Sequence, residues 1–252
     1  MMQTTYEMVR VNDVDLYVEI RGRGAPLLLL HGLTGSSQDW IHAGRELLEE
    51  HFQLIAVDAR GHGRSTNPAR TLTHRQCAID TLALLDHLGI TRCKAIGMSF
   101  GGNILLQVAT RERDRIEAMV VVSATPYFPE QARRIMGALP PEAQPAEAWQ
   151  AMRERHQLGD EQIRALFQQQ YALKDSYDDM SFTPPELSRI GARTLIVQGD
   201  RDPLYPVELS VEMYRAIPNA ELAVVPNAGH GPIFVEHAQA FASRAVEFLT
   251  RA

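Results

Sequence analysis

An α/β fold built on a mostly parallel sheet is predicted by three features of the sequence. Short apolar runs, often β-branched, alternate with stretches of helical periodicity. Each apolar run ends in a turn rich in Gly, Asp, Ser or Thr. The length of 252 residues and the 45% hydrophobic content are enough for one large core without metal or disulfide support.

Taken in order, residues 14–20 alternate apolar and polar, the pattern of a half-buried strand. Residues 26–30 are continuously apolar, which suits a strand covered on both faces. Residues 55–57, 95–98, 119–122, 194–197 and 221–225 are further short strands. Helical patterns run over 40–50, 73–88, 102–111, 207–217 and 237–250. This alternation argues for βαβ units with right-handed crossovers, and places ligand-binding loops at the carboxyl ends of the strands.

One segment breaks the rhythm. Residues 126–185 hold no convincing strand but several short helical patterns, over 130–139, 146–157, 160–171 and 173–180, punctuated by prolines. The segment reads as a helical cap inserted after the sixth strand. The chain then divides into a body of residues 1–125 and 186–252 and a cap of residues 126–185.

Charge and cysteine content narrow the function. With 25 Lys and Arg against 31 Asp and Glu the formal net charge is −6, and no basic run stands out. A nucleic-acid partner, which needs a basic face to displace phosphate counterions, is not expected. Cys77 and Cys93 have no metal-ligand spacing and are expected as buried, reduced thiols. The N-terminus lacks the basic and apolar regions of a signal peptide, and the apolar runs fall far short of the ~20 residues of a membrane span. A cytoplasmic protein with a small-molecule substrate, no membrane partner and no cofactor is the expectation.

Three positions carry the chemistry. Gly97-Met98-Ser99-Phe100-Gly101 lies between a predicted strand and a predicted helix. A G-x-S-x-G segment there forces the serine into a strained turn with its hydroxyl exposed, and glycines two before and two after let the backbones pass closely. The Phe100 amide then sits at a helix N-terminus, where unpaired N–H groups favour an anion. Asp202, in Gly199-Asp200-Arg201-Asp202-Pro203, follows one strand, and His230, between Gly229 and Gly231, follows the last. The order Ser99, Asp202, His230 suits a nucleophile, the acid that orients the base, and the base. Asp200 competes for the acid role and is assigned to the turn. His42, His51, His74, His87, His156 and His237 fall in or beside helical patterns and read as surface or capping residues.

The chain resembles the α/β-hydrolase fold superfamily throughout. The matching pieces are residues 31–35 (HisGlyLeuThrGly), 58–65 (AspAlaArgGlyHisGlyArgSer), 97–102 (GlyMetSerPheGlyGly), 199–206 (GlyAspArgAspProLeuTyrPro) and 227–230 (AsnAlaGlyHis). The resemblance implies an eight-stranded, mostly parallel sheet flanked by helices. It implies an oxyanion hole formed by the amides of Leu33 and Phe100. It gives residues 58–65 a structural role, with Asp58, Arg60 and Arg64 pairing locally and His62 outside the site. Some members draw the acid from the preceding strand end, but here that loop, Ser123-Ala124-Thr125-Pro126, holds no carboxylate. Haloalkane dehalogenases and epoxide hydrolases of similar fold carry a carboxylate at the elbow, so Ser99 argues against both chemistries. What remains is acyl transfer to water on a small or medium, largely apolar ester, with lactones, thioesters, perhydrolysis and carbon–carbon bond cleavage open on the same three residues. A ligand-sensing receptor with slow turnover is the alternative of another class. Tyr127, Trp149, Leu204, Tyr205 and Ile233 are the expected substrate contacts, and Phe128, Phe167, Tyr171, Tyr177 and Phe182 complete the cap's aromatic set.

Overall fold

The computed structural model describes residues 4–138 and 140–251. Leu139, at the expected end of a helix, and the terminal residues 1–3 and 252 of the body lie outside the described residues.

The chain runs β1 (Thr4–Val11), β2 (Val14–Gly22), β3 (Ala25–Leu30), α1 (Arg45–His51), β4 (Phe52–Val57), α2 (His74–His87), β5 (Cys93–Met98), α3 (Phe100–Arg111) and β6 (Ile116–Val122). An insert follows, with α4 (Glu130–Gly137), α5 (Ala146–Arg155) and α6 (Asp160–Ala172). The short α7 (Pro184–Leu187) leads back to β7 (Arg193–Gly199), α8 (Val207–Ala216), β8 (Ala220–Val225) and α9 (Ala238–Thr250). The strands form one eight-stranded sheet in the order β1-β2-β4-β3-β5-β6-β7-β8. The β1–β2 and β2–β4 pairs are antiparallel and every other pair is parallel.

The continuous apolar strands are continuous because both faces are covered. In β3, Leu28 and Leu30 join one core cluster while Leu27 and Leu29 join the other, following the two-residue period of a strand. The first cluster is completed by α2 and α3 through Cys77, Leu84, Ile104 and Leu105; the second by α1 and α9 through Leu48, Phe241 and Phe248. Burying each of these leucines contributes roughly 1.5–3 kcal/mol relative to exposure. Cys77 and Cys93 are free and buried. Among the described residues no helix is long and apolar enough to cross a membrane.

The insert is tied to the body at named points. Its two ends meet where Phe182 N–H donates to Pro126 O at 2.9 Å and Tyr127 bridges Ser181. His156, expected as a surface or capping residue, is the C-cap of α5 and is 2% exposed. Its Nδ1 accepts from Gly63 N–H at 2.8 Å and its Nε2–H faces Thr34 O at 3.1 Å, so it joins α5 to two body loops. The helix expected over 173–180 is a three-residue 3₁₀ turn, Leu173–Asp175, followed by irregular chain with bends at 178–180. Arg133 explains this: its guanidinium donates to Lys174 O and Ser176 O, both at 2.8 Å, taking carbonyls that a helix would need. The local pairing expected within 58–65 holds in part, since Arg64 Nη1 lies 3.9 Å from Asp58 Oδ2. Arg60, 1% exposed, binds Asp80 and Asp13 rather than Asp58. Asp58 instead accepts backbone N–H groups of Ser37 and Arg64 at 2.7 and 2.9 Å.

Candidate active site

Ser99 stands between β5 and α3 with φ 50° and ψ −109°. A left-handed φ in a non-glycine residue costs of order 1–3 kcal/mol and persists only where the surroundings over-determine it. They do so here. A Cβ on Gly97 would lie 2.4 Å from Gly101 O, and one on Gly101 would lie 2.1 Å from Leu30 O, so neither position admits a side chain. Ser99 N–H donates to Val122 O at 2.7 Å and Asn103 N–H to Ser99 O at 2.9 Å, fixing the turn from both sides.

His230 reaches this serine from the loop after β8. Ser99 Oγ lies 2.8 Å from His230 Nε2, and His230 Nδ1 lies 2.8 Å from Asp202 Oδ2. The carboxylate takes the Nδ1 proton, which leaves the Nε2 lone pair for the serine hydroxyl. Asp202 accepts three more hydrogen bonds: Leu204 N–H at 2.8 Å and Tyr205 N–H at 3.1 Å on Oδ1, and Gln198 Nε2–H at 2.9 Å on Oδ2. Burial alone would raise its pKa, but the bonds from His230 and the two amides outweigh it and hold the carboxyl below its usual range. Asp200 is exposed and sits 3.9 Å from Arg201 Nε, in the turn.

Two backbone amides stand beside the serine. Phe100 opens α3, so its N–H has no acceptor within the helix. Gly32 O is held by Gly35 N–H at 3.0 Å and by His31 Nδ1 at 2.7 Å, while His31 Nε2 accepts from Ala59 N–H. Because the Leu33 N–H belongs to the same peptide unit as Gly32 O, these bonds turn it the opposite way. A Cβ on Gly32 would lie only 3.8 Å from Ser99 Cβ, so this peptide is next to the serine.

A cavity of about 250 Å³ opens at Ser99 and His230. Its wall is mainly apolar, with Leu33, Met98, Phe128, Met136, Leu173 and Leu204. Of the expected substrate contacts, Leu204 and Tyr205 line it. Tyr205 packs edge-on against His230 with ring centroids 5.3 Å apart. Burial pushes its pKa up, so it stays protonated.

Tyr127, Trp149 and Ile233 are not in the wall, which corrects the expectation for each. Tyr127 is 37% exposed, with its hydroxyl donating to Glu212 at 3.0 Å. Trp149 packs on Phe167 at 5.3 Å inside the insert's own small core. Ile233 is buried with Met98 and Phe241 in the core under α9. Of the remaining cap aromatics, only Phe128 reaches the cavity.

The sequence profile of the alpha/beta hydrolase family matches residues 27–244. The chain belongs to that family. As an alpha/beta hydrolase it is 28% identical to a 2-hydroxymuconate semialdehyde hydrolase of Pseudomonas putida, over 92% of this chain and 89% of that one. It is 27% identical to a pimeloyl-[acyl-carrier protein] methyl ester esterase of Nitrosospira multiformis, over 94% and 99% of the two chains. Among solved structures, a meta-cleavage product hydrolase superposes with a TM-score of 0.81 at 20% identity, covering 98% of each chain. An esterase of Exiguobacterium antarcticum superposes with a TM-score of 0.79 at 23% identity, covering 99% and 100%. Both structural likenesses speak to the fold.

Sequence reasoning missed four polar residues of this alpha/beta hydrolase's site. Gln198, fully buried, holds Asp202 Oδ2 and Tyr205 O at 2.9 Å each and accepts from Ser210 Oγ at 3.1 Å. Asn103 lies one helical turn after Ser99, and that i, i+4 spacing was the signal for it. His74, expected as a surface or capping residue, is 1% exposed and lines the cavity. Its Nδ1–H faces Asp179 Oδ2 at 2.6 Å, and Asp179, the fourth, comes from the insert. Among the described residues no group of His, Cys, Asp and Glu side chains could hold a metal ion.

Proposed function

We propose that this protein is a serine hydrolase that cleaves a small or medium, largely apolar carboxylic ester through an acyl-Ser99 intermediate. The observation that carries the reading is the unbroken chain from Ser99 Oγ through His230 to Asp202, opening onto an apolar cavity of about 250 Å³. That volume lies just under the usual range for drug-sized ligands, so the acyl group is short to medium.

In the proposed cycle, Ser99 Oγ bonds to the ester carbonyl carbon and its proton passes to His230 Nε2. Leu33 N–H and Phe100 N–H hold the oxyanion of the tetrahedral intermediate; one such donor is worth about 10²–10³ in rate. The intermediate collapses, the alcohol leaves with the proton from His230, and an acyl-serine remains. A water then gives its proton to His230 and attacks the acyl carbon, and collapse returns the proton to Ser99 and frees the acid. Asp202 keeps the imidazole in the tautomer both halves need and stabilises it while charged.

The semialdehyde hydrolase relative favours a second reading, carbon–carbon bond cleavage at the same serine. A semialdehyde of muconate carries a carboxylate, and among the described residues no Arg or Lys lines this cavity to receive one. The ester reading therefore stands first. The test is intact mass after exposure to a fluorophosphonate, for the wild type and Ser99→Ala, beside turnover of p-nitrophenyl esters of rising chain length. A label lost in the variant, with turnover falling as the acyl chain outgrows the cavity, is expected. No label on the wild type, or equal labelling of the variant, would refute the nucleophile.

A further inference from the structure

We propose that the acyl pocket contains a hydrogen-bonding point, made by His74 Nε2 and the Asn103 amide, that selects acyl chains bearing a hydroxyl group. The inference rests on the ester reading above and names its substrate class.

The imidazole of His74 is not needed to cap α2. The N-terminus of α2 is already capped: Thr73 Oγ1 accepts from Gln76 N–H at 3.0 Å. Asp179 takes the next two amides, His74 N–H at 2.7 Å and Arg75 N–H at 3.0 Å. Both bonds use the backbone, so any side chain at position 74 would leave the capping intact. The imidazole ring is therefore an added buried polar group in a mainly apolar wall. Such groups are costly unless each polar atom finds a partner.

Asp179 satisfies half of the ring and sets its tautomer. Its carboxyl is held below the usual range: burial raises the pKa, and the bonds from the His74 side chain and the two amides outweigh that. An ionised carboxylate 2.6 Å from Nδ1 takes the Nδ1 proton, which leaves an acceptor lone pair on Nε2. Asn103 is fixed in the complementary sense. Its Oδ1 accepts from Thr125 N–H at 3.0 Å, so its NH₂ group faces His74 Nε2, at 3.5 Å. That separation is at the limit of a hydrogen bond. A ligand hydroxyl placed here can donate to Nε2 and accept from the Asn103 amide, making two good bonds in place of one poor one. The ring's position is rigid, clasped between Phe100 and Phe128 at centroid distances of 4.7 and 5.7 Å. Asn103 is one turn from Ser99 on α3, so the point lies within the reach of an acyl chain attached to the serine.

The test compares kcat/KM for methyl hexanoate with methyl 3-hydroxyhexanoate and methyl 6-hydroxyhexanoate, following acid release. The wild type is expected to prefer at least one hydroxylated ester by about tenfold, the scale set by paired hydrogen bonds that the plain ester leaves unmade. His74→Leu, which retains the backbone bonds to Asp179, should abolish the preference, bringing the ratio of kcat/KM for the hydroxylated and plain esters to about one. If the leucine variant does not fold, His74→Asn, polar but too short to present the same atom, takes its place. A wild type with no preference, or a variant that loses both activities in parallel, overturns the proposal and makes His74 a structural anchor of the insert. Absence of Ser99-dependent turnover on all three esters instead overturns the function on which it rests.

Discussion

Acid should weaken this fold at His156, by an amount the structure sets. The imidazole of His156 is buried, and with the crowding by His31 this pushes its pKa down to about 4 from the ordinary 6.5. Protonation would turn Nδ1 into a donor facing the Gly63 N–H that it now accepts, breaking a 2.8 Å bond between insert and body. The folded state therefore resists the proton that the unfolded chain accepts. Above pH 6.5 neither state binds it and the stabilising contribution is complete. As pH falls through 6.5 the unfolded chain gains the proton alone and stability drops, until the folded pKa of about 4 is passed and the loss levels off. With those two values, lowering the pH from 8 to 5 costs about 2 kcal/mol at this residue, toward a ceiling of about 3.4 kcal/mol. His156→Gln can still accept from Gly63 and donate to Thr34 but does not titrate. Urea unfolding of both proteins at pH 8 and pH 5 should show the wild type losing about 2 kcal/mol more than the variant. His62, also buried and held well below its usual pKa chiefly by burial, contributes in both proteins, less the part of its shift that it owes to His156. Equal losses in the two proteins would refute the buried neutral state of His156.

Other consequences follow from the same geometry. Asp202→Asn should lower turnover of a p-nitrophenyl ester by up to about 10⁴, because an amide nitrogen in place of the carboxylate favours the wrong imidazole tautomer. Asp200→Asn, at an exposed turn, should stay within about twofold, and the reverse ranking in steady-state kinetics would move the acid role to Asp200. Gly101→Ala sets a methyl 2.1 Å from Leu30 O and should destabilise by about 3 kcal/mol or more; a melting temperature equal to wild type would show that the elbow can relax.

The body was legible because its signals are local. The alternation of Leu27 to Leu30 between two cores follows from a strand's period alone. The turn at Ser99 is written in Gly97 and Gly101, whose close contacts are to neighbours a few residues away or to the adjacent strand. The alignment of Asp202 with His230 needed only the order of strands and loops. The insert was less legible because its partners are distant in sequence. His74 and Asp179 are separated by 105 positions, and nothing near residue 74 foretells that a carboxylate will cover it. Trp149 was assigned to the pocket on chemical type, yet the face of α5 that it occupies turns to Phe167. The helix expected after residue 173 fails for a reason of the same kind, since the guanidinium that takes its carbonyls lies 41 positions upstream, on α4.

This division has a consequence for how the site works. The three residues proposed to react belong to the body: Ser99, Asp202 and His230 follow β5, β7 and β8, and a strained φ at Ser99 survives because backbone on both sides holds it. The cavity takes much of its shape from the insert, through Phe128, Met136 and Leu173. Phe128 and Leu173 are buried in the main core with Met136 packed against it, while Ile135, on the same wall, is 44% exposed. Changing them alters the volume offered to an acyl group without touching the hydrogen bonds that polarise the serine. Asp179 breaks the separation, because it belongs to the insert yet fixes the tautomer of a body residue that faces the cavity. Selectivity at that point therefore depends on the insert being seated, whereas the chain from Ser99 to Asp202 does not.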